Sequence, residues 1–102
     1  MGTVTTVASV NDEFRRRGDG VTITAGVQML DDLYGLLESV RWYEDFTTDN
    51  DPYGEHDFGS LVWTGAKVFW KIDYYDATLR EWCDPEDPEC RRLLTVMLAS
   101  EY

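Results

Sequence analysis

Glu44, Asp45, Asp49, Asp51, Glu55 and Asp57 put six carboxylates within fourteen residues, with no Lys or Arg among them. Like charges at that density repel one another, raise some pKa values and oppose a compact state unless a partner or counter-ions screen them. Three readings suit such a run: a solvated acidic loop, a cation site, or a surface that imitates the phosphates of a nucleic acid. The cation reading is weak. Asp49-x-Asp51 resembles the start of an oxygen-ligand loop, but Ser60 stands at the twelfth position, where a bidentate Glu would close it. No metal and no cofactor is expected.

Phosphate imitation fits the pattern better. Carboxylates two apart on a strand, or three to four apart on a helix, lie roughly 5 to 7 Å from each other, near the spacing of adjacent phosphates. Tyr43, Phe46 and Tyr53 are interleaved as candidate anchors, and Glu81, Asp84, Glu86, Asp87 and Glu89 extend the acidic set. The predicted contact set is therefore Glu44, Asp45, Asp49, Asp51, Tyr53, Glu55 and Asp57, with those five later acids. The partner expected is a basic nucleic-acid-binding protein or complex.

Catalysis is a rival reading. His56 is the single histidine and sits between Glu55 and Asp57, so a carboxylate could orient it as a general base, with Asp57 or Asp73 as partner. Neighbours in an extended chain point to opposite faces, and no nucleophile elbow, phosphate loop or dinucleotide fingerprint occurs. Loop ordering is the plainer role for His56, and the protein is expected to be non-enzymatic. Cys83 and Cys90 lie seven apart; with one His they make no structural zinc set, and free thiols are expected.

The elements that must position these residues follow from periodicity and punctuation. Val4, Val7, Val10 and Phe14 recur at helical spacing before Arg15-Arg16-Arg17 and Gly18, predicting a helix over about residues 4–17. Val21-Thr22-Ile23-Thr24, between glycines, predicts a short strand. Leu30, Leu33, Tyr34, Leu37 and Val40 form a stripe that predicts a helix over about 30–43, with Gly35 inside it as a close-packing position or a tolerated cost. Residues 44–57 carry turn chemistry. Thr64-Gly65 joins segments 58–63 and 66–75, whose Val68, Trp70, Ile72 and Tyr74 alternate with polar or aromatic neighbours, a β-hairpin with one apolar face. Trp70 belongs to that core face, whereas Phe69 and Tyr75 sit opposite, either under a helix or on a partner surface. Asp87-Pro88-Glu89 looks like a helix start, so residues 88–100 are expected to be helical.

The chain has 102 residues, room for one core, and is expected to form a single compact domain. Its fold class is expected to be α+β in the order α-β-α-β-β-α, a small antiparallel sheet packed by about three helices. The formal net charge is −11, and it is unevenly spread: residues 1–42 hold six acids and four Arg, residues 43–102 fourteen acids and five Lys or Arg. That balance argues against direct binding to nucleic acid or an anionic membrane. No apolar stretch approaches the roughly 20 residues of a membrane span, and no basic segment followed by an apolar one opens the chain, so a cytoplasmic location is expected.

The strings Asn50-Asp51-Pro52-Tyr53-Gly54-Glu55-His56-Asp57-Phe58-Gly59, Phe69-Trp70-Lys71-Ile72-Asp73-Tyr74-Tyr75-Asp76 and Leu94 to Tyr102, with the Asn11-Asp12-Glu13-Phe14-Arg15 opening, resemble a bacterial domain-of-unknown-function family of short acidic proteins. That family is associated with alphaproteobacteria and mobile elements. The resemblance implies a compact intracellular domain and carries over no catalytic residue. By analogy of setting and charge, it points to an inhibitor of a bacterial defence complex, of the anti-restriction or anti-CRISPR kind. A small enzyme at His56 and a regulatory module working through its aromatic hairpin face are the alternatives.

Overall fold

In the computed structural model, residues 6–102 are described. Met1–Thr5 lie outside them, and with them the predicted first turn at Val4. Helix α1 runs Val7–Arg17: the Thr6 hydroxyl accepts from Ser9 N at 3.0 Å to start it, and Gly18 at φ 71° ends it behind three arginines. Strand β1 is Val21–Ile23, followed by the one-turn helix α2, Ala25–Gln28, and helix α3, Leu33–Arg41. The hairpin is as expected: β2 Phe58–Trp63, a Thr64-Gly65 turn with φ 48° and 84°, and β3 Ala66–Tyr75. Two successive positive φ angles match the right-handed twist of the flanking strands.

The C-terminal segment overturns its expectation. Arg91–Leu98 is strand β4, not a helix, followed by a single 3-10 turn, Ala99–Glu101. Asp87 caps a turn instead of a helix, its carboxylate accepting from Glu89 N at 2.9 Å while its carbonyl accepts from Cys90 N at 3.0 Å. The decisive term is tertiary. β4 lies in the interior of the sheet, paired with β3 from Tyr75↔Arg91 to Val68↔Leu98, with Leu94 and Val96 buried on one face and Met97 on the other. Burial on both faces removes the alternation that would have marked it as a strand.

The sheet order is β1-β4-β3-β2. It is mixed, not wholly antiparallel: β1 pairs with β4 in parallel through Val21↔Leu94 and Ile23↔Val96, while β4, β3 and β2 run antiparallel. The architecture is α+β, with three helices and four strands among the described residues. Val27, Leu36 and Val40 from the helices meet Val68, Trp70, Ile72, Leu94 and Val96 in one core. The predicted α3 stripe is rotated: Leu36 is fully buried, whereas Tyr34 is 77% exposed.

Two glycines show why the core closes as it does. A Cβ at Gly59 would collide with Nε1 of the Trp70 indole and stand 2.6 Å from its Cε2, and one at Gly35 would collide with its N-cap Asp32 and stand 2.9 Å from Trp63. Trp70, at 0% exposure, lies under the β2 backbone because no side chain intervenes. Among the described residues no α-helix covers the opposite sheet face. There Tyr102, brought round by the 3-10 turn, sets its ring edge-on to Phe69 at 5.6 Å and Phe58 at 6.1 Å.

Candidate functional site

The first acidic loop, residues 44–57, hangs from aromatic anchors. Tyr43 is buried, edge-on to Phe46 at 5.1 Å and to Trp70 at 5.4 Å, and Phe46 stacks flat on the His56 imidazole at 3.9 Å. Tyr43 and Phe46 therefore face inward, and of the three predicted aromatic anchors only Tyr53, 86% exposed, faces solvent. Thr47 and Asn50 close the loop by exchanging hydrogen bonds, Thr47 N to Asn50 Oδ1 at 2.8 Å and Asn50 N to Thr47 Oγ1 at 3.2 Å.

Half of this loop's carboxylates serve the fold. Asp51 is buried and accepts from the backbone N–H of Glu55 at 3.0 Å and of His56 at 3.2 Å. His56, held at φ 56°, sets Nδ1 3.0 Å from Asp12 Oδ1 and Nε2 3.6 Å from Asp51 Oδ2. Its carboxylate partners are thus Asp12 and Asp51, not Asp57 or Asp73, and the ring orders the loop between them. Asp57 accepts from the Tyr74 hydroxyl at 3.0 Å, with Glu55 Oε2 at 3.5 Å from the same oxygen. Burial raises the Asp57 pKa against the opposing Tyr74 hydrogen bond; burial and then the Asp57 charge raise that of Glu55. Burial likewise holds the Tyr74 phenol above its ordinary value, so it stays protonated as the donor. Glu44, Asp45 and Asp49 remain exposed, Glu44 lying 3.8 Å from Arg16.

The second acidic loop spends its carboxylates differently. Glu81, Asp84, Glu86, Asp87 and Glu89 are all exposed, and none pairs with a cation among the described residues. Asp84 and Asp87 each cap a tight turn, accepting from Glu86 N at 3.0 Å and Glu89 N at 2.9 Å, and Asp87 Oδ2 also accepts from the Cys83 thiol at 3.8 Å. Trp82, 70% exposed, bridges to Tyr75 at the loop's entry. Cys83 and Cys90 are free, and desolvation followed by the neighbouring Cys90 thiol pushes the Cys83 thiol up to about 11, which keeps it protonated.

The two loops meet over a buried polar hub. Asn11, at 0% exposure, donates from Nδ2 to the Glu55 carbonyl at 2.9 Å and the Tyr74 hydroxyl at 2.8 Å, and its Oδ1 accepts from Arg92 Nε. Arg92 in turn donates to the Pro85 carbonyl at 2.9 Å and lies over the Tyr74 ring at 5.3 Å. One amide thus ties α1, the first loop, β3, β4 and the second loop together. Asp84 stands near enough for its charge to act on Glu55. The apolar stripe of α1 gives no sign that Asn11 is buried, and Arg15 reads from the sequence as a last-turn cation. The signal was their place: Val7, Asn11 and Arg15 are four apart on one helix face.

Among the described residues no three His, Cys, Asp or Glu side chains converge as a metal site, and no helix is long and apolar enough to cross a membrane. What the arrangement offers is an anionic ridge, fixed from below, facing outward. No curated protein and no solved structure matches the chain. The family model described as "Protein of unknown function (DUF3768)" matches residues 23–101, nearly all of the chain beyond α1, and the chain belongs to that family.

Proposed function

We propose that this protein is a non-enzymatic binding domain whose acidic ridge occupies the basic groove of a nucleic-acid-handling protein. The observation that carries the reading is the second loop: five exposed carboxylates within nine residues, none of them ion-paired among the described residues. A solvated face usually neutralises part of its charge with neighbouring Lys or Arg; this one leaves it available to a partner. Turn caps fix the backbone from which the carboxylates project, so less order has to be imposed on binding. Glu44, Asp45, Asp49 and Tyr53 continue the contact, whereas Asp51 and Asp57 support it from within. An inhibitor of a defence complex, of the anti-restriction or anti-CRISPR kind, is one biological form of this activity, supported by charge and family setting alone.

The test is capture of bacterial nucleic-acid enzymes by immobilised protein at about 50 mM and about 500 mM salt, followed by competition with duplex DNA. The expected outcome is capture that is lost at high salt, displaced by DNA, and abolished when Glu81, Asp84, Glu86, Asp87 and Glu89 become amides. Capture indifferent to salt and to those amides sinks the proposal. If such salt-resistant capture falls on Phe69→Asp, the contact belongs instead to the helix-free sheet face where Phe58, Phe69 and Tyr102 cluster.

A further inference from the structure

Cys83 and Cys90 stand at the two ends of the segment that carries Asp84, Glu86, Asp87 and Glu89, both free and half-buried. The fold fixes each end. Cys83 N donates to the Tyr74 carbonyl at 3.3 Å, which pins one end to β3, and Cys90 N donates to the Asp87 carbonyl at 3.0 Å just before β4 begins. Between them Asp87 N closes a first turn on the Asp84 carbonyl at 2.9 Å, and Arg92 holds the Pro85 carbonyl. Two successive turns fold the segment back on itself, and the sulfurs emerge as neighbours. Cys90 Sγ lies 3.9 Å from the Cys83 carbonyl, and its thiol is within hydrogen-bonding reach of the Cys83 thiol. In the unfolded chain the intervening segment, stiffened by Pro85 and Pro88, has no such help.

We propose that Cys83 and Cys90 form a reversible dithiol site, which exchanges with a small disulfide and closes an intramolecular bond across the acidic loop. The Cys90 thiolate attacks one sulfur of the small disulfide, whose S–S bond breaks; one small thiol leaves and takes up the proton that Cys90 gave up. Cys83 then attacks the Cys90 sulfur of this mixed disulfide, and the second small thiol departs with the Cys83 proton. The two cysteines lose two electrons in all, and the small disulfide gains them. Cys90 goes first because the thiolate is the nucleophile, and Cys83 is held protonated by burial and then by Cys90 itself. That second contribution vanishes once Cys90 carries the small thiol. The exposed acids of the loop repel an anionic reagent, so the fitting disulfide is neutral or cationic.

The bond clamps the backbone from which four of the five ridge acids project, and it removes the thiol proton that Asp87 Oδ2 accepts. This consequence rests on the ridge reading above; the exchange itself does not.

Equilibration of the full chain with hydroxyethyl disulfide and mercaptoethanol over a range of ratios, quenched in acid and read by intact mass, tests the site. The expected product is a chain lighter by two hydrogens, with mixed disulfides a minor species. Its half-point should need at least about tenfold less disulfide in the folded chain than in the same chain in urea. Cys83→Ser should take up the small thiol at Cys90 at least about fivefold faster than Cys90→Ser takes it up at Cys83. The proposal is overturned if the folded chain closes the bond no more readily than the unfolded one, or if mixed disulfides persist on both cysteines instead. The reverse order of the two variants overturns the first attack by Cys90. None of these readouts depends on capture of a partner, so this proposal and the ridge reading fail separately.

Discussion

The two acidic loops have similar composition and opposite use. In residues 44–57, Asp51 turns inward to hold two backbone N–H groups and Asp57 to receive the Tyr74 hydroxyl; in residues 81–89 every acid faces water. What separates them is the aromatic and apolar residues nearby. Tyr43 and Phe46 pull the first loop against Trp70, so its carboxylates have donors to meet, whereas the second loop is tied to the sheet through carbonyls, Glu81 accepting from Asp76 N, Tyr74 from Cys83 N and Pro85 from Arg92. Charge density by itself therefore does not distinguish a carboxylate that builds a fold from one offered to a partner.

Breaking the hub beneath both loops should have the largest effect. Asn11→Leu leaves Arg92, the Tyr74 hydroxyl and the Glu55 carbonyl each short of a buried partner, at roughly 1–3 kcal/mol per orphaned group, so about 3 kcal/mol or more in total is expected. Urea unfolding monitored by Trp fluorescence measures it. A loss below about 1 kcal/mol would mean that water replaces the amide and that the loops are not coupled through it.

Within the first loop, Asp51→Ala should cost about 1–3 kcal/mol, since the Glu55 and His56 N–H groups lose their acceptor. Asp49→Ala, two residues away and exposed, should stay within about 0.5 kcal/mol. Equal costs for the two variants, read from the same urea midpoints, would erase the distinction between inward and outward acids.

The legible part of this molecule is the part where one principle acts at a time. The hairpin was readable because its alternation and its Thr64-Gly65 turn agree, and α1 because valine spacing, cations and Gly18 agree, although its Thr6 cap starts it later than the valines suggest. β4 was not, because its Leu94, Val96 and Met97 are buried on two faces and a turn-capping Asp87 resembles a helix N-cap. The second loop was legible as exposed acid, since nothing apolar interrupts Asp84-Pro85-Glu86-Asp87-Pro88-Glu89. The hub was not, because Asn11 and Arg92 are eighty-one residues apart and only the closed sheet brings them together.

pH sharpens the contrast at intermediate size. Asp57 and Glu55 bind protons more tightly folded than unfolded, so their penalty is complete well above their raised pKa values and is relieved as pH falls through them. Asp76 and Glu101 are the reverse. Held below 3.8 and 4.5 by the Thr78 and Thr24 hydroxyls first, they contribute stability above those unfolded values and lose it as pH falls through their depressed ones. Thermal stability should therefore rise from pH 7 to about pH 5 and fall below about pH 4. Asp57→Asn should flatten the rise; a native profile already flat between pH 7 and 5 would show that the Tyr74 hydrogen bond offsets the burial of Asp57.

The smallest expected change in stability is the most informative about function. Converting Glu81, Asp84, Glu86, Asp87 and Glu89 together to amides removes five charges from a surface with no ion pair among the described residues to lose. Each site alone should shift stability by no more than about 0.5 kcal/mol, and relief of mutual repulsion works in the stabilising direction. The Asp84 and Asp87 turn caps survive, because an amide oxygen still accepts from Glu86 N and Glu89 N. A stable, folded variant that no longer captures its partner would separate the ridge's binding from its folding. A variant that unfolds would instead place these acids in the same structural class as Asp51.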